Sequence, residues 1–185
     1  TLVGGVMGMN QTQTRKLMAF SSIAHMGWLI TALSLNPKLA TMTFMIYITM
    51  TTTMFLILTP MMTKTIPDLG LTLPWHPLLT LTTMLSLLSL GGLPPLSGFM
   101  PKWIILNELV SNDLMPLATL LALASLPSLY FYTRMTYTST LTSPPNTSTT
   151  KLKWRFKPHL AKSLTFLTPL TVMLLPLTPT LSYTM

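Results

Sequence analysis

An all-α, polytopic membrane protein is the fold class this sequence predicts, and three observations predict it. Apolar residues make up 49% of the 185-residue chain and charged residues only 8%. A soluble domain carries about 25% charged residues, which it needs to cover its surface. The apolar residues are gathered into segments of membrane-spanning length, and the charges fall between those segments. A net charge of +8 on a soluble chain would raise nucleic acid as a partner. Cations placed between apolar segments read instead as topology signals, so no nucleic-acid partner is expected. The chain has no cysteine, which excludes disulfides, a thiolate nucleophile and iron–sulfur ligation by Cys.

The elements follow in order. Thr1 to Met9, "TLVGGVMGM", reads as the end of a helix, and the start at Thr suggests a fragment without its N-terminal part. About five transmembrane segments come next: Leu17 to Leu35, Ala40 to Met61, Leu78 to Val110, Leu114 to Thr133 and Leu160 to Tyr183. Except for the third, each is about 20 residues, the length that crosses an apolar core about 30 Å thick. Thr is frequent inside them, and its hydroxyl can bond back to a carbonyl three or four residues earlier. "NPK" at Asn36 to Lys38 is a tight turn, and "SND" at Ser111 to Asp113 is another. A linker, "TKTIPDLGLTLPWHP", joins the second and third spans, and a long polar Ser/Thr/Pro-rich loop precedes the fifth. The whole chain reads as a single helical region, residues 1–185.

Counting loops on alternate sides puts Arg15, Lys16, Lys64, Arg134, Lys151, Lys153, Arg155, Lys157 and Lys162 on one side, against Lys38 alone. The positive-inside rule then sets the N-terminal end on the positive side and the C-terminus opposite.

The third segment would make a helix of about 50 Å, too long for one straight crossing. "GGLPPLSG", Gly91 to Gly98, divides it, and Gly91, Gly92, Pro94, Pro95, Gly98 and Pro101 are the helix-breaking residues. Two half-helices joined by irregular backbone are expected, and such backbone at membrane depth must be buried or line a wet cavity. Lys102 opens the second half. A lysine at this depth can serve as a proton relay or as a structural cation on carbonyls freed at the break. Glu108, six residues on, can reach the wet path or a neighbouring subunit, or can equally be an interfacial charge near the helix end. In the first span Ser21, Ser22 and His25 fall at i, i+1 and i+4 and share a face. That line suits a proton relay or interhelical hydrogen bonding equally. "KLKWRFKPH" alternates cations with apolar residues. Lys151, Lys153, Trp154 and Arg155 read as an interfacial anchor, or as a site for anionic lipid such as cardiolipin. No metal-ligand spacing, phosphate loop or nucleophile elbow is found, so no catalytic residue and no metal is assigned.

"NQTQTRKLMAFSSIAHMGW" and "LGGLPPLSGFMPKW" resemble the chain 2 family of mitochondrial NADH–ubiquinone oxidoreductase, the antiporter-like membrane subunits of respiratory complex I. The resemblance extends through "LYFYTRMTY" and the final Pro/Leu-rich span. It implies that the chain is the C-terminal half of a longer antiporter-like domain, most of the second of two inverted repeats. It implies a core membrane-arm subunit of an NADH:ubiquinone reductase that translocates protons, with Lys102 the lysine of a central polar axis. No redox site is implied in this chain: NADH, FMN, iron–sulfur clusters and ubiquinone belong to the whole complex. The implied partners are other complex I membrane subunits and lipid. The implied location is the mitochondrial inner membrane, with the N-terminal end on the matrix side and the C-terminus in the intermembrane space. The first-half residues of the axis are absent here, so the fragment alone is not expected to pump. Phe20 stands where the family usually has Tyr, and Thr14 where it usually has Leu. The abundant Met and Thr fit the coding bias of a mitochondrial genome. Two rivals stay open: a subunit of a cation/proton antiporter, and a membrane scaffold without transport.

Overall fold

Helices account for almost all regular structure in the computed structural model, which describes residues 1–74, 76–142, 166–169 and 171. The elements are α1 (Leu2–Met9), α2 (Thr14–Leu35), α3 (Pro37–Met61), α4 (Ile66–Leu71), α5 (Pro77–Gly91), α6 (Phe99–Ser111) and α7 (Met115–Leu141). Three of them, α2, α3 and α7, have 22, 25 and 27 residues and are long and apolar enough to cross a membrane. The fold is an all-α membrane fold, as the hydropathy predicts. The expected fifth span, Leu160 to Tyr183, lies almost wholly outside the described residues, as does the loop with Lys151, Lys153, Trp154 and Arg155.

Local chemistry sets the helix boundaries. Pro37 starts α3, where its missing N–H costs nothing, and the Asn36 side chain accepts from the Lys38 amide at 3.2 Å. The α2–α3 hairpin is therefore as tight as "NPK" suggests. Threonines inside the helices bond backwards: Thr53 Oγ1 donates to the Met50 carbonyl at 2.7 Å and Thr83 Oγ1 to the Thr80 carbonyl at 2.6 Å. Each hydroxyl is thus satisfied within its own helix.

Two boundaries differ from expectation. α7 does not stop at Thr133 but runs to Leu141, through residues read as the start of the polar loop. Met135 and Ser139 are buried there, and Thr136, Thr138 and Thr140 satisfy their hydroxyls on their own helix. α4 was not expected within the linker. It is a short helix whose Ile66 and Leu69 are buried and whose Gly70 lies against the end of α7 at Ser139 and Thr142.

Packing is methionine-rich. Met18, Met42, Met50, Met54, Met61 and Met135 join Leu17, Leu87, Leu90, Phe131 and Tyr132 in one buried cluster. Unbranched thioethers fill irregular gaps between helices well. α1 lies on α2 and α7 through small residues: a Cβ on Gly4 would sit 2.6 Å from the Ala24 nitrogen, and one on Gly5 2.9 Å from Pro127. Small residues allow this backbone-to-backbone approach.

The two ends of the bundle are distinct. At one end the segment before α2 meets the segment after α3: Gln13 and Thr65 form an antiparallel bridge, and Thr14 N donates to Lys64 O at 3.1 Å. α4 and the end of α7 lie at this end too, and Arg134 donates to the Met9 carbonyl at 2.7 Å. The opposite end holds the Asn36–Lys38 hairpin, near a second buried cluster of Trp28, Ala32, Ala40, Ile105, Leu109 and Leu121. Arg15, Lys16, Lys64 and Arg134 thus sit towards one end and Lys38 at the other, as loop counting predicts.

Candidate functional site

The break in the third apolar segment positions the site. α5 has 15 residues and α6 has 13. At 1.5 Å per residue each is about 20 Å long, too short to cross alone. α5 ends at Gly91, and Gly92 caps it in the left-handed region at φ +82°. A side chain there is strained, so glycine is the natural residue. Leu93 N closes back on Leu88 O at 3.4 Å, Leu96 N on Leu93 O at 2.9 Å and Phe99 N on Leu96 O at 3.1 Å. The irregular stretch is therefore stitched by its own turns. Leu96, Ser97 and Gly98 are buried, while Pro94 and Pro95 are exposed. Ser97 donates to the Thr171 carbonyl, tying the break to a later part of the chain. Pro101 lies in the first turn of α6, where an amide would have no intrahelical partner, so it starts the second half-helix rather than forming part of the irregular stretch.

Lys102 is the fourth residue of α6, and its side chain turns back across the break. Nζ donates to the Gly91 carbonyl at 2.9 Å. That carbonyl belongs to the last turn of α5, where no amide of a continuing helix can reach it. A cation there also meets the negative end of the α5 dipole. Gly92 makes room for this: a Cβ on it would lie 2.8 Å from Nζ. Gly98 is as closely fitted, since a Cβ on it would collide with the Ser89 carbonyl oxygen. Behind Gly91 stands Tyr132 of α7, fully buried.

His25 of α2 comes to the same place. A cavity of about 30 Å³ is lined by His25, Thr43, Tyr47 and Lys102, with Trp28 and Ile105 among its apolar walls. The His25 and Tyr47 rings are 5.2 Å apart, centroid to centroid. Lys102 and His25 are close enough for the charge of one to bear on the other. Two residues 77 positions apart in sequence, 102 less 25, thus share one pocket.

The other candidates divide. Ser21 is buried and faces Tyr132; it donates to Met18 O at 2.7 Å. Ser22 faces Tyr47 and donates to Ala19 O at 2.7 Å. Glu108 does not line the cavity, and its carbonyl accepts from Ser111 Oγ at 2.9 Å. Tyr47 and Thr43 were not singled out from sequence. Tyr47 is the lone phenol of the Pro37–Met61 span, and that is the signal that marks it.

Comparisons with known proteins bear on the family and the fold. The family described as NADH:quinone oxidoreductase/Mrp antiporter, TM, matches residues 1–127, and the family described as NADH dehydrogenase subunit 2 C-terminus matches residues 129–182. NADH-ubiquinone oxidoreductase chain 2 of Gallus gallus is 49% identical over 179 residues, covering 97% of this chain and 52% of the relative. The chain 2 protein of Varanus nebulosus is 51% identical over 184 residues, covering 98% and 53%. The chain spans about half the length of the curated relatives it matches. Among solved structures, a chain of respiratory complex I from Thermus thermophilus with bound aureothin superposes with a TM-score of 0.67 at 25% identity, over 94% of this chain and 42% of that one. On its sequence match and its helical fold, the chain belongs to the NADH:quinone oxidoreductase/Mrp antiporter transmembrane family.

Proposed function

We propose that the chain serves as a core membrane-arm part of a proton-translocating NADH:ubiquinone oxidoreductase, and that its broken helix carries part of the proton-transfer path. The observation that carries this reading is that Lys102, bonded to the freed Gly91 carbonyl, lines one small cavity together with His25. An ammonium can lose and regain a proton, an imidazole can take one up, and ionisable groups at membrane depth are costly and mark ion pathways and proton relays. The chemistry of NADH, FMN, iron–sulfur clusters and ubiquinone is assigned to other subunits of the complex. The partners are the neighbouring membrane subunits, with lipid at the Lys151 to Lys157 loop. The location is the mitochondrial inner membrane, with the Arg15, Lys16 and Lys64 end towards the matrix. The relatives at about half identity are oxidoreductase subunits, which favours this reading over a separate cation/proton antiporter.

The test is Lys102→Met in the assembled complex of a genetically tractable relative. The expected result is normal assembly with quinone reduction and proton translocation lost together. Assembly with both activities intact would overturn the reading and favour a scaffold without transport.

A further inference from the structure

We propose that Tyr47 is a further residue of the proton path, its phenol and one water joining Lys102 to His25. The inference rests on the reading that Lys102 and His25 transfer protons.

The cavity between them measures about 30 Å³. A water needs about 10–15 Å³ and two to four polar partners. Lys102, His25, Tyr47 and Thr43 are among the residues that line it, and between them they carry an ammonium, an imidazole, a phenol and a hydroxyl. Lys102 has three N–H donors, and one is taken by the Gly91 carbonyl. The remaining donors are free to hold a water.

The hydroxyls around the cavity are not equivalent. Thr43 gives its proton to the Ala40 carbonyl at 2.9 Å, and Ser22 gives its proton to Ala19. Both can then only accept. A phenol accepts and donates at once. Tyr47 stands beside His25, with Ser22 facing it.

The step balances without an added reagent. The Lys102 ammonium gives a proton to the water. The water gives one to the Tyr47 oxygen as the phenol's own proton passes to His25. The products are a neutral Lys102, an imidazolium at His25, and a water and phenol unchanged in charge. No phenolate has to form. Rotation of the phenol about its C–O bond resets it.

Tyr47→Phe keeps the ring against His25 and removes only the hydroxyl. It is made in the full assembled complex of a tractable relative with a tyrosine at this position, with Tyr47→Leu and Lys102→Met alongside. Assembly, quinone reduction and proton translocation are measured on the same membranes. The expected result is that Phe and Leu variants assemble and lose translocation equally, on the order of 10²-fold, the lower range for a positioned proton-transfer group. If only the Leu variant is impaired, Tyr47 packs and does not relay, and the proposal fails while the reading of Lys102 stands. Loss of assembly in the Phe variant also overturns it, because the hydroxyl would then be holding the fold. Normal activity with Lys102→Met removes the underlying reading, and this proposal with it.

Discussion

The Lys102 ammonium donates to the carbonyl of Gly91 at 2.9 Å, so the second half-helix reaches back and closes the open end of the first. One hydrogen bond thus couples the shape of the break to the placement of its only lysine. The two neighbouring glycines exist in this arrangement for different reasons. Gly91 offers its carbonyl and lies against Tyr132, and Gly92 takes a left-handed turn beneath Nζ.

Gly92→Ala should therefore damage both stability and activity. The left-handed conformation costs a residue with a Cβ about 1–2 kcal/mol. The new methyl would also stand 2.8 Å from Nζ and push it from the Gly91 carbonyl. Gly98→Ala should be worse, because its Cβ meets the Ser89 backbone oxygen rather than a flexible side chain. Unfolding midpoints of the two variants in detergent check the order.

Much of this fold is legible in the sequence, for physical reasons that also mark where legibility stops. Hydropathy finds α2 and α3 because lipid exposure demands long apolar runs, and Gly/Pro chemistry locates the break between α5 and α6 within a residue or two. α4 is hidden because a six-residue helix has no period to read; it is held by Asp68 at its start and by the end of α7. The extension of α7 past Thr133 is hidden because its Tyr, Thr and Ser residues look like loop. In the structure those hydroxyls bond back to their own helix and the buried Met135 anchors the turn. His25 and Lys102 were each visible, on separate segments. Their meeting depends on how α2, α3 and α6 pack, which no local pattern encodes, and the same holds for Tyr47, which lines their shared cavity.

Arg134 ties α7 to the last turn of α1 by its 2.7 Å bond to the Met9 carbonyl. A charged donor on such a carbonyl is worth about 1–2 kcal/mol when partly buried. Arg134→Ala should destabilise by that amount, and Arg134→Lys should recover part of it. Limited proteolysis between α1 and α2, near Asn10, checks the loosening directly.

Asp68 offers a pH test outside the membrane. Its carboxylate accepts from the Thr65 amide at 2.9 Å and the Lys64 amide at 3.3 Å. Hydrogen bonding from Thr65, side chain first, holds its pKa below the ordinary value of 3.8. A depressed acid contributes stability that is present above the unfolded value and lost as pH falls through the folded one. Protection of the Lys64 and Thr65 amides from hydrogen exchange should therefore persist at neutral pH and drop below about pH 4. The Asp68→Ala variant should show low protection with no such step.

The central claim is that Lys102 acts by changing its protonation, and Lys102→Arg tests it most directly. A guanidinium keeps the positive charge and can still bond the Gly91 carbonyl, but it does not release its proton at working pH. Proton translocation and quinone reduction in the assembled complex, compared with Lys102→Met, are the measurement. The account predicts that Arg fails as Met does, with assembly intact. Near-normal translocation with Arg, alongside failure with Met, would contradict it and make Lys102 a structural cation that closes the end of α5.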